Sequence, residues 1–575
     1  MGQKVLIIGA VALGPKVACR LRRLDPSAHV TLIDRDNLIS YGGCGIPYYV
    51  GGDVADLEGL YSTSSHAIRD DRFFETVKGV NVLSQTEVTD IDRKGKTVSV
   101  RNRATGEEKT LEYDKLVLAT GANPVVPPIP GADLPGVSVV ANLHNAKEIK
   151  EKISKGQVES AVVIGGGAIG VEMAEALADL WGVETTLVEM MEHLLPMAIG
   201  PDMGLIVKNH MEEHDVRILL GESVTQIVGT PETGVEGVKT NKRDIPCQLV
   251  VLAVGVRPNA DLAAKAGLAI GPHGGILVDN TLRTSDPNIF AGGDCIELTH
   301  LISGQKVPMA FGSLANREGR VIGTNIAGGN AQFKGSVGAF CLKAFEMGVA
   351  SAGLTVAQAK DAGFDPVHAV VVQADRAHFY PTNQLMYMKL IADKTTRKVL
   401  GVEAVGHNGD AVKARVDAVS AVLPFGPDVS DITALEVTYA PPFASAMDIV
   451  NNAGNALDNI LKGKNKPIDV ADFLKLFDEA KAHVLDVRGK PESQAFVERF
   501  GDRWVNIPQD QLAARISEIN GNGNGSGQLC LICDTGPRSY EAQCLLASHG
   551  ITDTVNIQGG YGMLKKSAPD FNNPA

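Results

Sequence analysis

Cys44 stands in the stretch Ser40-Tyr41-Gly42-Gly43-Cys44-Gly45-Ile46-Pro47, one sulfur between glycines with a proline close behind. A second cysteine, Cys533, follows the apolar run Leu529-Cys530-Leu531-Ile532 and opens the loop Cys533-Asp534-Thr535-Gly536-Pro537-Arg538-Ser539. A thiolate is both nucleophile and leaving group, and its sulfur cycles through sulfenic acid, persulfide or mixed disulfide. A lone cysteine is ordinarily a small buried hydrophobe, so the neighbouring sequence has to supply a reason for reactivity. For Cys533 the reason is local. A tight loop at a helix N-terminus presents successive backbone N–H groups and the positive end of the helix dipole, which lower a thiol pKa and stabilise a persulfide anion. Arg538 adds a positive charge, while Pro537 removes one N–H. For Cys44 the reason is a supply of electrons.

That supply is written in two related segments. Val5-Leu6-Ile7-Ile8 is a short apolar strand, followed by Gly9-Ala10-Val11-Ala12-Leu13-Gly14 and a helix with Pro15 in its first turn. The next strand, Val30-Thr31-Leu32-Ile33, ends at Asp34. This layout puts a pyrophosphate at a helix N-terminus and a ribose hydroxyl on a carboxylate, although Val11 replaces the middle glycine. The second segment is complete: Ala161-Val162-Val163-Ile164, then Gly165-Gly166-Gly167-Ala168-Ile169-Gly170, a helix, and Thr185-Thr186-Leu187-Val188 ending at Glu189. The two glycine ends recur at an offset of 156 residues and the acids at 155. A duplicated strand–loop–helix–strand–acid unit predicts two dinucleotide-binding domains. Two dinucleotides in one chain suit hydride transfer from a nicotinamide to a flavin. Glu189 would accept from a 2′-hydroxyl and repel a 2′-phosphate, favouring NADH over NADPH.

The order of these motifs resembles the pyridine nucleotide–disulfide oxidoreductases. The resemblance covers residues 1 to about 455 and includes Thr284-Ser285-Asp286-Pro287-Asn288-Ile289-Phe290-Ala291-Gly292-Gly293-Asp294. It implies FAD on the first unit, held by Gly9, Gly14, Asp34, Thr120, Gly121 and Asp294, and the nicotinamide on Gly165, Gly167, Gly170 and Glu189. Members with a Cys-x4-Cys pair carry an internal disulfide; here the fifth residue after Cys44 is Tyr49. The segment looks most like the single-cysteine branch of CoA-disulfide reductases and NADH-dependent persulfide or polysulfide reductases, with Gly43 where that branch usually has asparagine. The same resemblance makes Ser40, Arg20, Arg22 and Arg23 the residues that meet coenzyme A, as substrate or bound cofactor. The three arginines are otherwise a solvated helix face. It also implies a homodimer in which Tyr380, in Arg376-Ala377-His378-Phe379-Tyr380-Pro381, and Tyr439, in Tyr439-Ala440-Pro441-Pro442-Phe443, reach the active cysteine of the other subunit. A phenol there can donate to a thiolate leaving group.

Beyond that, 456–470 is rich in Lys, Asn, Gly and Pro and reads as a tether. The remainder looks like a single-domain rhodanese, from Leu485-Asp486-Val487-Arg488 through the Cys533 loop to Gly559-Gly560-Tyr561. The expected fold is α/β: two Rossmann-like domains (FAD on 1–115 with 256–328, NAD on 116–255), an α+β dimerisation domain at 329–455, the linker, and an α/β rhodanese-like domain at 471–575. The tract Asn520-Gly521-Asn522-Gly523-Asn524-Gly525-Ser526-Gly527 reads as a surface loop.

Composition sets outer limits. With 575 residues the chain exceeds one core and implies three or four domains. A net charge of −13 argues against a nucleic-acid partner. No apolar run approaches the ~20 residues of a membrane helix, and eight scattered cysteines suit a reduced cytoplasm. Cys530 and Cys533 alone are a poor zinc site, so no metal is expected. These features converge on NADH-dependent reduction of sulfur–sulfur bonds through Cys44, with Cys533 and Arg538 handling sulfane sulfur. The alternatives are an NADH oxidase or peroxidase cycling Cys44 through sulfenic acid, and a sulfur-sensing protein that does not turn over.

Overall fold

The computed structural model describes residues 2–522 and 527–571. They divide into two compact units: Met1–Met190 with Asp215–Ser336, and Met191–His214 with Val337–Ala575.

The first unit holds the two repeated segments as two parallel sheets. One runs in the order Ile289–Ala291, Lys115–Leu118, Lys4–Ile8, His29–Ile33, Asn81–Leu83. The other runs Arg217–Leu219, Glu184–Val188, Ser160–Ile164, Leu249–Leu252, Val137–Val139. Their central strands are apolar along nearly their whole length because parallel strands here are covered on both faces. The repeat extends to individual backbone contacts. Gly9 and Gly165 both turn at positive φ, and a Cβ on either would strike a carbonyl oxygen of the neighbouring strand's end, Ala119 at 2.1 Å and Ala253 at 2.4 Å. The expected domain cut between 115 and 116 passes through the strand Lys115–Leu118, which belongs wholly to the first sheet.

The second unit begins with the helix Pro201–Glu213. Its antiparallel sheet runs Phe340–Ala344, Met347–Gly353, Val399–Gly406, Leu385–Asp393, Pro366–Ala374. Helix Ile449–Leu461 packs on it, and a parallel sheet follows in the order Pro467–Ile468, Thr554–Ile557, Gln528–Ile532, Ala482–Asp486, Trp504–Asn506.

The expected tether is not one. Residues up to Leu461 are helix, and Pro467–Ile468 is already an edge strand of the C-terminal sheet. Between them Lys466 is fixed by its backbone N–H on Gln543, its carbonyl on Asn556 N–H and its ammonium on Thr552 O. The C-terminal domain is also fastened to the antiparallel sheet. Gln558 accepts from Val370 N–H at 2.9 Å and donates to Asp469 at 2.8 Å, which holds His368 at 3.0 Å. Gly559 and Gly562 lie against Val372, and Tyr387 Oη donates to Gly562 O. Of the Asn/Gly tract, Asn520–Asn522 end the helix Ile516–Asn522, and 523–526 lie outside the described residues. Among the described residues no helix is long and apolar enough to cross a membrane.

Candidate active sites

Both glycine loops have the geometry a dinucleotide needs. Asp34 accepts from Ala10 N–H at 2.7 Å and from Asp36 N–H at 2.9 Å, so the acid at the strand end braces the first glycine loop. Glu189 does the same for the second, accepting from Gly166 N–H at 2.6 Å. Space is open where a Cβ on Gly167 would stand, leaving room for close approach of a phosphate to the backbone. Gly14 and Gly170 press helix onto strand, with a Cβ position less than 2 Å from the carbonyls of Gly9 and Gly165. Thr120 Oγ donates to Asn259 O at 2.6 Å, and Gly121 beside it takes a left-handed turn over open space. Asp294 precedes helix Gly312–Ile326 in the chain, and burial pushes its carboxyl up to about 6. Glu318, on that helix, accepts from Gly293 N–H at 2.6 Å and is pushed up to about 7, chiefly by burial.

Cys44 occupies the single turn Gly43–Gly45, just before helix Ile46–Gly51 with Pro47 in its first turn. Gly45 is required there: a Cβ would meet Leu60 Cδ2 at 2.4 Å. The sulfur is exposed and faces Gly312, the first residue of helix Gly312–Ile326, 3.8 Å from where a Cβ would sit. The surroundings of Cys44 raise its thiol pKa: partial desolvation acts first, then the charges of Glu172 and Asp294, against backbone donors at Cys44 and Gly312. Sequence reasoning missed Glu172, on the helix that opens the second dinucleotide unit. Tyr48 Oη donates to Glu172 Oε1 at 3.2 Å, and burial pushes this carboxyl up to about 7. The two residues line a cavity of about 350 Å³ with Pro47, Asp53, Glu175 and Asp179.

The basic helix divides. Arg22 turns back on its own C-terminal turn, donating to Pro26 O and to Ala28 O. Both bonds come from Nη1, so one end of the guanidinium faces the carbonyls of its own turn. Arg20 donates to Thr324 Oγ at 3.0 Å, and Arg23 is exposed. Ser40 is buried in a left-handed turn, with its N–H on Ala10 O.

Tyr380 and Tyr439 lie in the second unit. Their segments are joined by Ala377 N–H donating to Pro441 O at 3.2 Å and Ser445 Oγ to Arg376 O at 3.1 Å. Tyr439 is half exposed, and Phe379, Phe443 and Met447 beside it are exposed as well.

The Cys533 sulfur is buried. It accepts from Gly536 N–H at 3.1 Å and from Ser539 Oγ at 3.3 Å, at the start of helix Pro537–Ser548. Gly536 takes φ of 112°, which bends the loop so that its N–H points at the sulfur. Arg538 is ion-paired with Asp534, so its charge is not devoted to the sulfur as expected. The buried cation nearby is Arg488, clamped by Asp486 and lying over the Tyr561 ring at 4.4 Å. Tyr561 N–H in turn donates to Cys533 O. Ser539, in the first turn of helix Pro537–Ser548, was also missed. A histidine pair, His210 and His214, lies beside Glu346, a grouping that the sequence reading did not bring together.

Residues 3–314 match the family described as pyridine nucleotide-disulphide oxidoreductase, and residues 340–450 match its dimerisation domain. The NAD(P)H coenzyme A polysulfide/persulfide reductase of Pyrococcus horikoshii is 35% identical over 448 residues, 78% of this chain and 97% of that protein. A NAD-dependent persulfide reductase from A. fulgidus superposes with a TM-score of 0.91 at 37% identity, over 97% of this chain and 99% of that one. The reduced Bacillus anthracis CoADR-RHD superposes with a TM-score of 0.90 at 31% identity, over 99% of both chains.

Proposed function

Because this chain belongs to the pyridine nucleotide–disulphide oxidoreductases, we propose that it is an NADH-dependent FAD enzyme reducing sulfur–sulfur bonds of persulfides, polysulfides or CoA disulfide at Cys44. Its C-terminal domain then carries sulfane sulfur on Cys533, as a rhodanese does. The observation that carries this reading is the presence of two different sulfurs in one chain. One is exposed, lacks a second cysteine at the Cys-x4-Cys position, and faces a helix N-terminus; the other is cupped by a backbone N–H and a hydroxyl.

Bound FAD supplies an electron pair taken as hydride from NADH. The chain's own residues do the rest. Gly9, Gly14 and the Asp34 brace hold the first loop open for a pyrophosphate, and Gly165, Gly167, Gly170 and Glu189 do so for the nicotinamide coenzyme. The carboxylate of Glu189 disfavours a 2′-phosphate. Cys44 thiolate attacks the sulfur–sulfur bond of R–S–SH, forming Cys44–S–SH and releasing RS⁻. Two electrons then cleave the bond between the Cys44 sulfur and the outer sulfur, returning Cys44 thiolate and releasing HS⁻. With CoA disulfide the same steps release two CoA thiols, and Arg20, Arg22, Arg23 and Ser40 are the residues proposed to meet CoA. Tyr439, with Tyr380, is proposed to protonate the departing thiolate from the other subunit of a homodimer. The exposed Phe379, Tyr439, Phe443 and Met447 support that dimer, because a patch of this kind is ordinarily covered. The scattered placement of the eight cysteines along the chain supports a reducing, cytoplasmic setting.

The test is anaerobic NADH oxidation with polysulfide, glutathione persulfide and CoA disulfide in parallel, detecting sulfide, with an oxygen and a peroxide arm. Sulfide release lost in Cys44→Ser and reduced in Cys533→Ser supports the reading. Turnover with oxygen or peroxide alone would replace it with an oxidase or peroxidase. Activity confined to CoA disulfide and indifferent to Cys533 would remove the second site from the reaction.

A further inference from the structure

His210 and His214 are four apart on and just past helix Pro201–Glu213, so both rings leave the same helix face. The hairpin joining Phe340–Ala344 to Met347–Gly353 turns through two residues, Phe345 and Glu346, and brings the Glu346 carboxylate to that face. Both imidazoles point the same nitrogen at the same oxygen. His214 Nε2 lies 3.1 Å from Glu346 Oε2, and His210 Nε2 lies 3.5 Å from it. One ligand atom from each of the three residues lies within 4.8 Å of the other two. A tetrahedral zinc with bonds of ~2.1 Å separates its ligand atoms by about 3.4 Å.

His210 gives the second, independent observation. Its side chain is only 3% exposed, and neither ring nitrogen has a hydrogen-bond partner. Buried polar atoms are seldom left so, and this one is aimed into the cluster. Its other nitrogen, Nδ1, faces the Glu213 carboxylate at 3.6 Å. The turn itself is strained: Phe345 adopts φ of 52°, uncommon for a bulky residue, and its ring stacks flat on His214 at 4.2 Å. The strain places Glu346 where the histidines converge, and the stack fixes the His214 ring.

We propose that His210, His214 and Glu346 bind a divalent transition-metal ion of the zinc class, with water in the fourth position, clipping helix Pro201–Glu213 to the Phe345–Glu346 turn. Two imidazoles and a carboxylate suit zinc, and calcium or magnesium would demand oxygen ligands throughout. Neither Cys44 nor Cys533 takes part, so the ion serves the frame of the second unit.

The test uses the full chain with its flavin, prepared without a polyhistidine tag and stripped of metal by chelation. Cobalt(II) and zinc(II) are then added separately. The expected result is about one bound ion per chain, a cobalt visible band without a thiolate-to-metal band in the near ultraviolet, and a thermal midpoint raised by zinc. His214→Ala and Glu346→Gln, both at the surface, should weaken cobalt binding at least ~10-fold and abolish the zinc-induced shift while keeping NADH turnover. Absence of binding by the parent, a thiolate band, or equal binding by both variants would overturn the site. His210→Ala is the weaker probe, because its burial makes loss of folding an alternative cause.

Discussion

The Tyr48 hydroxyl and the Glu172 carboxylate are joined at 3.2 Å, and Glu172 is one of the two charges that raise the Cys44 thiol. Cys44 therefore carries its proton to higher pH than an isolated thiol among the chain's own groups. Replacing Glu172 with Gln removes that charge but keeps a partner for Tyr48. The pH midpoint for alkylation of Cys44, followed by mass spectrometry of its peptide, should move down. A midpoint that stays put or rises would show that Glu172 does not act on the sulfur.

Ser539 contributes one of two hydrogen bonds to the Cys533 sulfur. A hydrogen bond of this kind is worth about 1 kcal/mol, roughly a fivefold change in an equilibrium. Ser539→Ala should lower the fraction of Cys533 held as persulfide by about that factor at fixed polysulfide, read as the single-sulfur mass increment. Cys533→Ser should show no increment at this peptide.

Gln558 spans the junction between the C-terminal sheet and Pro366–Ala374. Its truncation to Ala strands the buried Val370 N–H, at a cost of about 1–3 kcal/mol. The expected consequences are a lower unfolding midpoint and faster amide exchange at Val370. Unchanged exchange there would mean that the junction is held by other contacts.

Glu318 gives a pH signature. Burial lifts its folded pKa from 4.5 to about 7, so the folded chain retains a proton that the unfolded chain releases. Its stabilising contribution is complete below the unfolded value and is lost as pH rises through 7. A shift of this size corresponds to something on the order of 3 kcal/mol across that window. Glu318→Gln can still accept from Gly293 N–H and does not ionise, so its melting temperature should fall less than the parent's between about pH 5 and pH 8. Parallel profiles for the two proteins would refute this.

The parts that sequence reasoning reached are those fixed by neighbours in the chain. Gly9 and Gly165 are demanded by a local turn, and Asp34 and Glu189 stand where each second strand ends, so their repetition could be read directly. Val11 in place of a glycine did not alter that frame. What stayed hidden depends on residues far apart in sequence. The charge on Cys44 comes from Glu172 and Asp294, which no inspection of 40–47 supplies. Arg22 was counted with its helix neighbours, yet its Nη1 donates to the carbonyls of Pro26 and Ala28. The Lys-rich stretch looked unstructured because backbone pairing at Lys466 leaves no trace in composition. His210 and His214 were visible as a pair, but Glu346 reaches them from a turn in another part of the chain.

The fastening of Gly559–Gly562 to Val372 and Tyr387 bears on how this architecture can be recombined. The loop that cradles Cys533 is braced by the same residues, through Tyr561 N–H on Cys533 O. A foreign sulfur-carrier domain spliced after Leu461 would have to bring its own counterparts of Gln558, Asp469 and the two glycines. Without them Val370 and Val372 would be laid bare, and the grafted cysteine loop would lose its backing. The two domains are therefore exchangeable as a pair, with their shared seam, more readily than one at a time.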